Sequence, residues 1–348
     1  MAGLSARAWE SALTLGRLNL LAGRWYARLE AAGQLEAVPT RVRDQLWSEH
    51  LVAQDRVRMV RFEADRVAHA LAGLEIPVVL LKGAAYVLGE LPPGEARRVS
   101  DVDILVPRAD LAAVEIRLQR HGWQAAPHDD YDDHYYRAWM HELPPLQHVA
   151  RGTTLDVHHT LLPRTDRLCP APEPLFEAAE PLPGTSLSVL CPADMVLHSI
   201  LHGFRGGEFI SGWRDTLDVH ELITCFTATR PGFWPEFAAR VERFKATGPA
   251  WLALTLAQRL HGTSVPEEIL SSWQKRPGRL VRTCVRETLA RAVEPELKSS
   301  MSKQIALRLL HLRSHLVKMP PGLLLKHLWT KYWRRRRQTT RAGSMPAA

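Results

Sequence analysis

Acidic residues are absent from the last 52 of the 348 positions, the final one being Glu296. Lys298 to Arg341 supply 12 cations, and the remaining 33 are outnumbered by 37 acids, so the net charge of +8 belongs to a C-terminal extension and not to the body. Cysteine is scarce: Cys169, Cys191, Cys225 and Cys284 form no C-x-x-C pair, which excludes a disulfide scaffold or a zinc ribbon as the organising principle. Long apolar runs are also missing, since no stretch reaches the roughly 18 uncharged apolar residues that span a bilayer. The N-terminus meets Glu10 and Arg17 too early to hold a signal-peptide apolar region. Together these absences lead to the expectation of a soluble, cytoplasmic protein. Aromatics make up only 7%, and before Lys245 every cation but one is arginine; the exception is Lys82. No internal repeat is found. The length suits one large domain or two modest ones, with core enough to need no metal or disulfide for folding.

What is present divides the chain by period. Apolar residues recur at helical spacing through Ser5–Ala32 and Thr40–Leu74. The pattern then shortens to the β-branched run Ile76–Leu81 and to Val102–Val106, both reading as buried strands. A helix is predicted between Arg108 and His121, stopped by Gly122. Further strands are expected at Tyr135–Met140, Leu146–Ala150 and Thr153–His158, and the proline-rich Pro163–Pro183 is expected to be irregular apart from a helical turn near Leu175–Ala179. From Pro192 the period is helical again, through Asp194–Phe204, Trp213–Phe226, Trp234–Lys245, Ala250–His261 and Val281–Val293. The fold class expected is α+β: residues 1–74 helical, 75–190 a mixed α/β core, 191–298 helical, and 299–348 a basic helical extension and tail.

The chemistry concentrates in the core. Alternation along a strand puts Asp101 and Asp103 on one face while Val102 and Ile104 point inward. Two carboxylates side by side need a cation between them, and hard oxygen donors suit magnesium. In Thr153–His158 the same alternation puts Asp156 and His158 outward, so pairing of the two strands would bring three acids together. That is the arrangement of two-ion phosphoryl or nucleotidyl transfer. Lys82 ends a buried strand beside Gly83, where a point charge and exposed amides suit a triphosphate.

The segment from Leu80 to Val114, LLKGAAYVLGELPPGEARRVSDVDILVPRADLAAV, resembles the core of the nucleotidyltransferase superfamily, most closely its uncharacterised bacterial family with an LKG…R…SDVDILV signature. The later TLDVHHTL (Thr154–Leu161) and the helical Pro192–Phe204 and Trp213–Ile223 are similar to later parts of that family. The resemblance implies a polymerase-β-like fold in which Asp101, Asp103 and Asp156 are catalytic and hold two Mg2+ ions. It further implies that Gly83 sits in the phosphate-binding turn with Arg97 near the site, so that with Lys82 from the reading above these residues are expected to bind an NTP such as ATP. The activity implied is transfer of NMP to an acceptor: a small molecule, a protein or RNA. The sequence departs from the superfamily in having Ala84 after Gly83, where a second Gly or a Ser is usual. Two alternatives follow: a catalytically silent binding module for nucleic acid or protein, or a toxin–antitoxin type transferase acting on protein or tRNA.

Other features read more plainly. His128–Tyr135, rich in aspartate, is expected to be a solvated hairpin loop. Asp194, His198 and His202 share a helix face but lack a further ligand at motif spacing, so core packing is the expectation. His158 divides evenly between a catalytic role and a half-exposed sheet position. The acid-free tail is read as a helix packed by its leucines, with contact to anionic lipid or nucleic acid open for the last part.

Overall fold

The computed structural model describes residues 4–125, 130–205, 209, 211–273, 279–320, 322, 324, 325 and 329. Short apolar runs flanked by turns make the strands: β1 (Val79–Leu81), β2 (Asp101–Leu105), β3 (Trp123–Ala125), β4 (Leu146–His148), β5 (Thr154–His158), β6 (Glu180–Pro181) and β7 (Ser188–Val189). They form one mixed sheet in the order β3-β4-β5-β2-β1-β7-β6. The central strand β2 runs antiparallel to β1, with Leu81 opposite Asp103, and parallel to β5, with Asp103 opposite Asp156.

Ahead of the sheet stand α1 (Ala6–Leu18), α2 (Ala22–Ala31) and the long α3 (Thr40–Leu71). Within the core, α4 (Lys82–Leu88) follows β1 directly, α5 (Leu111–Arg120) follows β2, and α6 (Asp130–Trp139) and the short α7 (Glu173–Glu177) lie further on. As expected, α5 stops short of Gly122, whose φ of +91° suits glycine; a Cβ there would also lie 2.9 Å from the His148 ring. Behind the sheet come α8 (Pro192–Arg205), α9 (Gly212–Thr229), α10 (Phe233–Arg243), α11 (Thr247–His261), α12 (Glu267–Ser272), α13 (Arg279–Val293) and α14 (Met301–Lys318). The architecture is the α+β arrangement expected, a mixed sheet between two helical regions.

The inward residues of the alternation are buried: Val102, Ile104, Leu155 and Val157 all belong to one hydrophobic cluster that runs from Val60 of α3 to Leu310 of α14. A second, smaller cluster joins α1, α2 and the start of α3 around Trp9, Leu13 and Leu46. One strand expectation is corrected. Tyr135–Met140 is not a strand; most of it falls in α6, and the aspartate-rich segment read as a loop contributes that helix from Asp130 on, while His128 and Asp129 lie outside the described residues. Aromatic residues at three- and four-residue steps (Tyr135, Tyr136, Trp139) fit a helical face as well as a strand, and ring contacts between Tyr135 and both Tyr136 and Trp139 hold them. Among the described residues no helix is long and apolar enough to cross a membrane.

Candidate active site

The register of three adjacent strands builds the site. Because Asp103 faces Asp156 across β2 and β5, and Asp101 lies two residues earlier on the same strand, the three carboxylates share one face. Lys82 joins them from the other side. Its backbone sits at φ +47°, in the left-handed region that costs a non-glycine residue energy, at the abrupt passage from β1 into α4. Strain of this kind is maintained only when the surroundings over-determine it. Here the Lys82 Nζ donates to Asp103 Oδ1 at 2.6 Å.

Gly83 permits the loop before β2 to close on this junction. A Cβ at that position would meet Val99 Cγ1 at 2.9 Å and Arg97 Nε at 3.6 Å. Arg97 itself is buried, donating to both oxygens of Asp218 on α9 at 2.8 and 2.7 Å and to the Pro93 carbonyl at 3.2 Å. Its guanidinium also lies over the Tyr86 ring. Of the sequence-derived site residues, Lys82, Asp101, Asp103 and Asp156 come together, Gly83 shapes the turn beside them, and Arg97 lines the same cleft from within an ion pair.

Two cavities flank Lys82. One, about 170 Å3, is lined by Gly83, Arg97, Ser100, Asp101 and Asp103; the other, about 460 Å3, by His141, Glu142, Asp156 and Leu161. Lys82, His202, Arg214 and Asp215 border both. A larger groove of about 1000 Å3 between α2, α3 and α4 contains none of the three acids.

Three participants were not legible in the sequence: His141 and Glu142, which follow α6, and the bonding role of His158. His158, only 1% exposed, has its Nε2 at 3.0 Å from Asp103 Oδ1 and 3.5 Å from Glu142 Oε2. His141 Nε2 is 3.6 Å from the same Glu142 oxygen. An isolated bridge between Glu142 and His158 carries this segment onto the edge of β5. A backbone contact between positions 16 apart leaves no periodic trace in a sequence. The even division over His158 resolves toward the site, since its ring is buried against the central carboxylate. His198 and His202 lie on one face of α8 with ring centroids 6.3 Å apart; His198 is buried as the core-packing expectation has it, His202 instead lines both cavities, and neither is among the described residues whose donor atoms converge.

The electrostatics follow from burial and crowding. Burial disfavours the Asp103 carboxylate, yet Lys82 and His158 overcome that and hold it well below the usual range. Burial also opposes the Lys82 charge, and Asp103 outweighs it, keeping the ammonium protonated. Asp101 is pushed up by burial and by neighbouring Asp103. Asp156 is pushed up to about 7 by burial, then by Asp103 and Glu142, and its buried Oδ1 has no hydrogen-bond partner. Burial and the adjacent His158 keep His141 neutral.

These residues fit a divalent cation. Arg97 and Arg214 are engaged by Asp218 and Asp215, which leaves Lys82 to face Asp101, Asp103 and Glu142, with Asp156 lining the same cavity. An oxygen-rich set short of positive charge, with an unpartnered buried carboxylate oxygen, has the donor chemistry that Mg2+ or a similar hard ion requires. On the Glu142 side, donor atoms of His141, Glu142 and His158 all lie within 4.8 Å of one another, so the same site also offers nitrogen donors.

Curated proteins return no match. Among solved structures, an antigenic nucleotidyltransferase-like protein from Paracoccidioides brasiliensis is similar at 15% identity and a TM-score of 0.32, over 55% of this chain and 93% of that chain. A family model described as "Uncharacterised nucleotidyltransferase" matches residues 5–262, which include every strand of the sheet and all the acids above. By that match the chain belongs to the uncharacterised nucleotidyltransferase family.

Proposed function

We propose that the protein is a divalent-metal-dependent nucleotidyltransferase that transfers NMP from an NTP to a hydroxyl or phosphate of an acceptor. The observation that carries this reading is the pairing of Asp103 with Asp156, which sets the D-x-D acids and a third carboxylate on one face beside Lys82. Asp101, Asp103 and Asp156 would hold the ions. When bound, Mg2+ supplies charge neutralisation at the phosphates and lowers the pKa of a coordinated oxygen.

The remaining work falls to the chain. The Lys82 ammonium, firmly protonated and on the border of both cavities, suits a phosphate oxygen once nucleotide displaces its hold on Asp103. Arg97, fixed by both oxygens of Asp218, keeps one wall of the smaller cleft rigid. Glu142 and His141 border the larger cavity with Asp156, the side on which an acceptor hydroxyl would lose its proton. Burial of His158 against Asp103 orients the central carboxylate before substrate arrives.

A second reading has one observation in its favour: Asp103 Oδ1 is already engaged by Lys82 and His158, as it would be in a silent binding module. Pyrophosphate release separates the two. Wild type and D101N/D103N should be compared with ATP, GTP, CTP and UTP, a panel of acceptors, and Mg2+ or EDTA. Transfer requires release that depends on Mg2+ and vanishes in the double variant. Nucleotide binding without release identifies the silent module, and equal binding by both proteins removes the nucleotide-site reading altogether.

A further inference from the structure

Helix α14 has two apolar faces. Ser300 caps it, its side chain accepting from the Lys303 amide, and Ala306, Leu310 and Ser314 are buried against the body, chiefly α13. At 100° per residue, Met301, Ile305, Leu309, Leu312 and Leu316 fall within an arc of about 80° on the other side, and Leu310 stands opposite Met301. These five side chains are between 46% and 69% exposed. A helix with one covered apolar face has no folding reason to carry a second, and a contiguous exposed stripe of this kind marks a contact surface.

The charge around the stripe selects its occupant. Arg308, exposed, flanks it on the open side, Arg313 lies half-buried toward Arg205 on the body side, and no acidic residue occurs from position 297 to the end. A second copy would bring two acid-free cationic helices face to face, which like-charge repulsion disfavours. A nucleic acid would satisfy the cations and leave five aliphatic side chains in water. A bilayer with anionic headgroups satisfies both, with cations at the phosphates and leucines at the acyl boundary. Leu325 and Trp329 just beyond the helix are exposed as well, and the sequence continues into Arg334–Arg337. The helix also lies outside the residues 5–262 matched by the family.

From the exposed stripe, the exposed Arg308 beside it and the acid-free cationic sequence that follows, we infer that α14 docks the protein peripherally on an anionic membrane surface. The helix lies in the interface, with its buried face retaining the body.

The test uses the full chain and sedimenting vesicles of phosphatidylcholine, with or without about 30% phosphatidylglycerol. Binding to the anionic vesicles is expected to exceed that to neutral ones by about tenfold or more and to weaken as NaCl is raised. Leu309→Gln together with Leu312→Gln removes exposed apolar area only, so the melting temperature should hold while vesicle binding falls about tenfold. Four results would overturn the inference: equal binding to neutral and anionic vesicles; a double variant that binds like the wild type; a dimer in light scattering that the double variant breaks; or affinity for DNA or RNA that it abolishes.

Discussion

The ion pair at the centre of the site makes a quantitative expectation for Lys82→Met. Methionine keeps the length and the strained backbone of the lysine, so conformational cost cancels and the change reports on charge. At an effective dielectric of about 20 and charge centres about 4 Å apart, the Lys82–Asp103 attraction is worth about 4 kcal/mol. Part is returned, because an uncharged side chain needs no desolvation and His158 stays bonded to Asp103. A loss of about 3 kcal/mol in EDTA is expected, in line with removal of one partner from a buried pair. With an unfolding entropy of about 2.1 cal/mol/K per residue over 348 residues, that is a fall of about 4 °C in Tm. A divalent ion replaces the missing charge, so Mg2+ should stabilise the variant more than the wild type and close most of the gap. Thermal and urea melts in EDTA and in MgCl2 measure all four states. A variant as stable as wild type in EDTA refutes the ion-pair reasoning, and a deficit that Mg2+ leaves untouched refutes the cation site.

Asp156 gives the pH dependence. Its carboxyl titrates near 7 in the fold instead of the ordinary 3.8, so without metal the protein should lose stability as pH rises from about 4 to about 7, by at most about 4 kcal/mol, and Asp156→Asn should flatten that slope in pH-dependent melts. Because the ion requires the deprotonated carboxylate, Mg2+ affinity by calorimetry should be about tenfold weaker at pH 6 than at pH 8; no change would remove Asp156 from the ligand set. Asp218→Asn leaves Arg97 buried without its counter-charge, while Arg24 keeps Glu221, and should cost about 3–5 kcal/mol in urea melts; a loss under 1 kcal/mol would mean that the pair is not structural. Gly83→Ala drives a methyl into Val99 and should cost about 1–3 kcal/mol while weakening nucleotide binding, and normal stability would show that the turn can yield.

Much of the centre could be read from residue order, because strand alternation is a short-range rule. Asp101 and Asp103 share a face by spacing alone, and Asp156 needed only the pairing of its strand with theirs. The parts that escaped are those set by distance along the chain. Glu142 and His141 reach the site through one bridge to β5, and Arg97 meets Asp218 across 121 positions. Neither contact has a periodic signature. Strands β3, β6 and β7, at two or three residues each, are too short for alternation to register. The segment at Tyr135–Met140 fitted two periods at once, and the helix prevailed.

One contact reaches from the beginning of the chain to the far helical half. Arg24 of α2 donates to Glu221 at 3.0 Å and, together with Arg97, to the carbonyl of Pro93; Arg28 reaches Glu221 as well. The first helices therefore serve as a clamp on the segment between α4 and β2 that carries Arg97, and α9 is the post they fasten to. A shortened protein beginning near residue 40 would retain all three acids and Lys82, yet it would strand Glu221, release one of the two donors on Pro93, and slacken the wall of the smaller cleft. For this molecule the smallest unit that keeps this site intact begins near the N-terminus, well before the sheet that bears the acids.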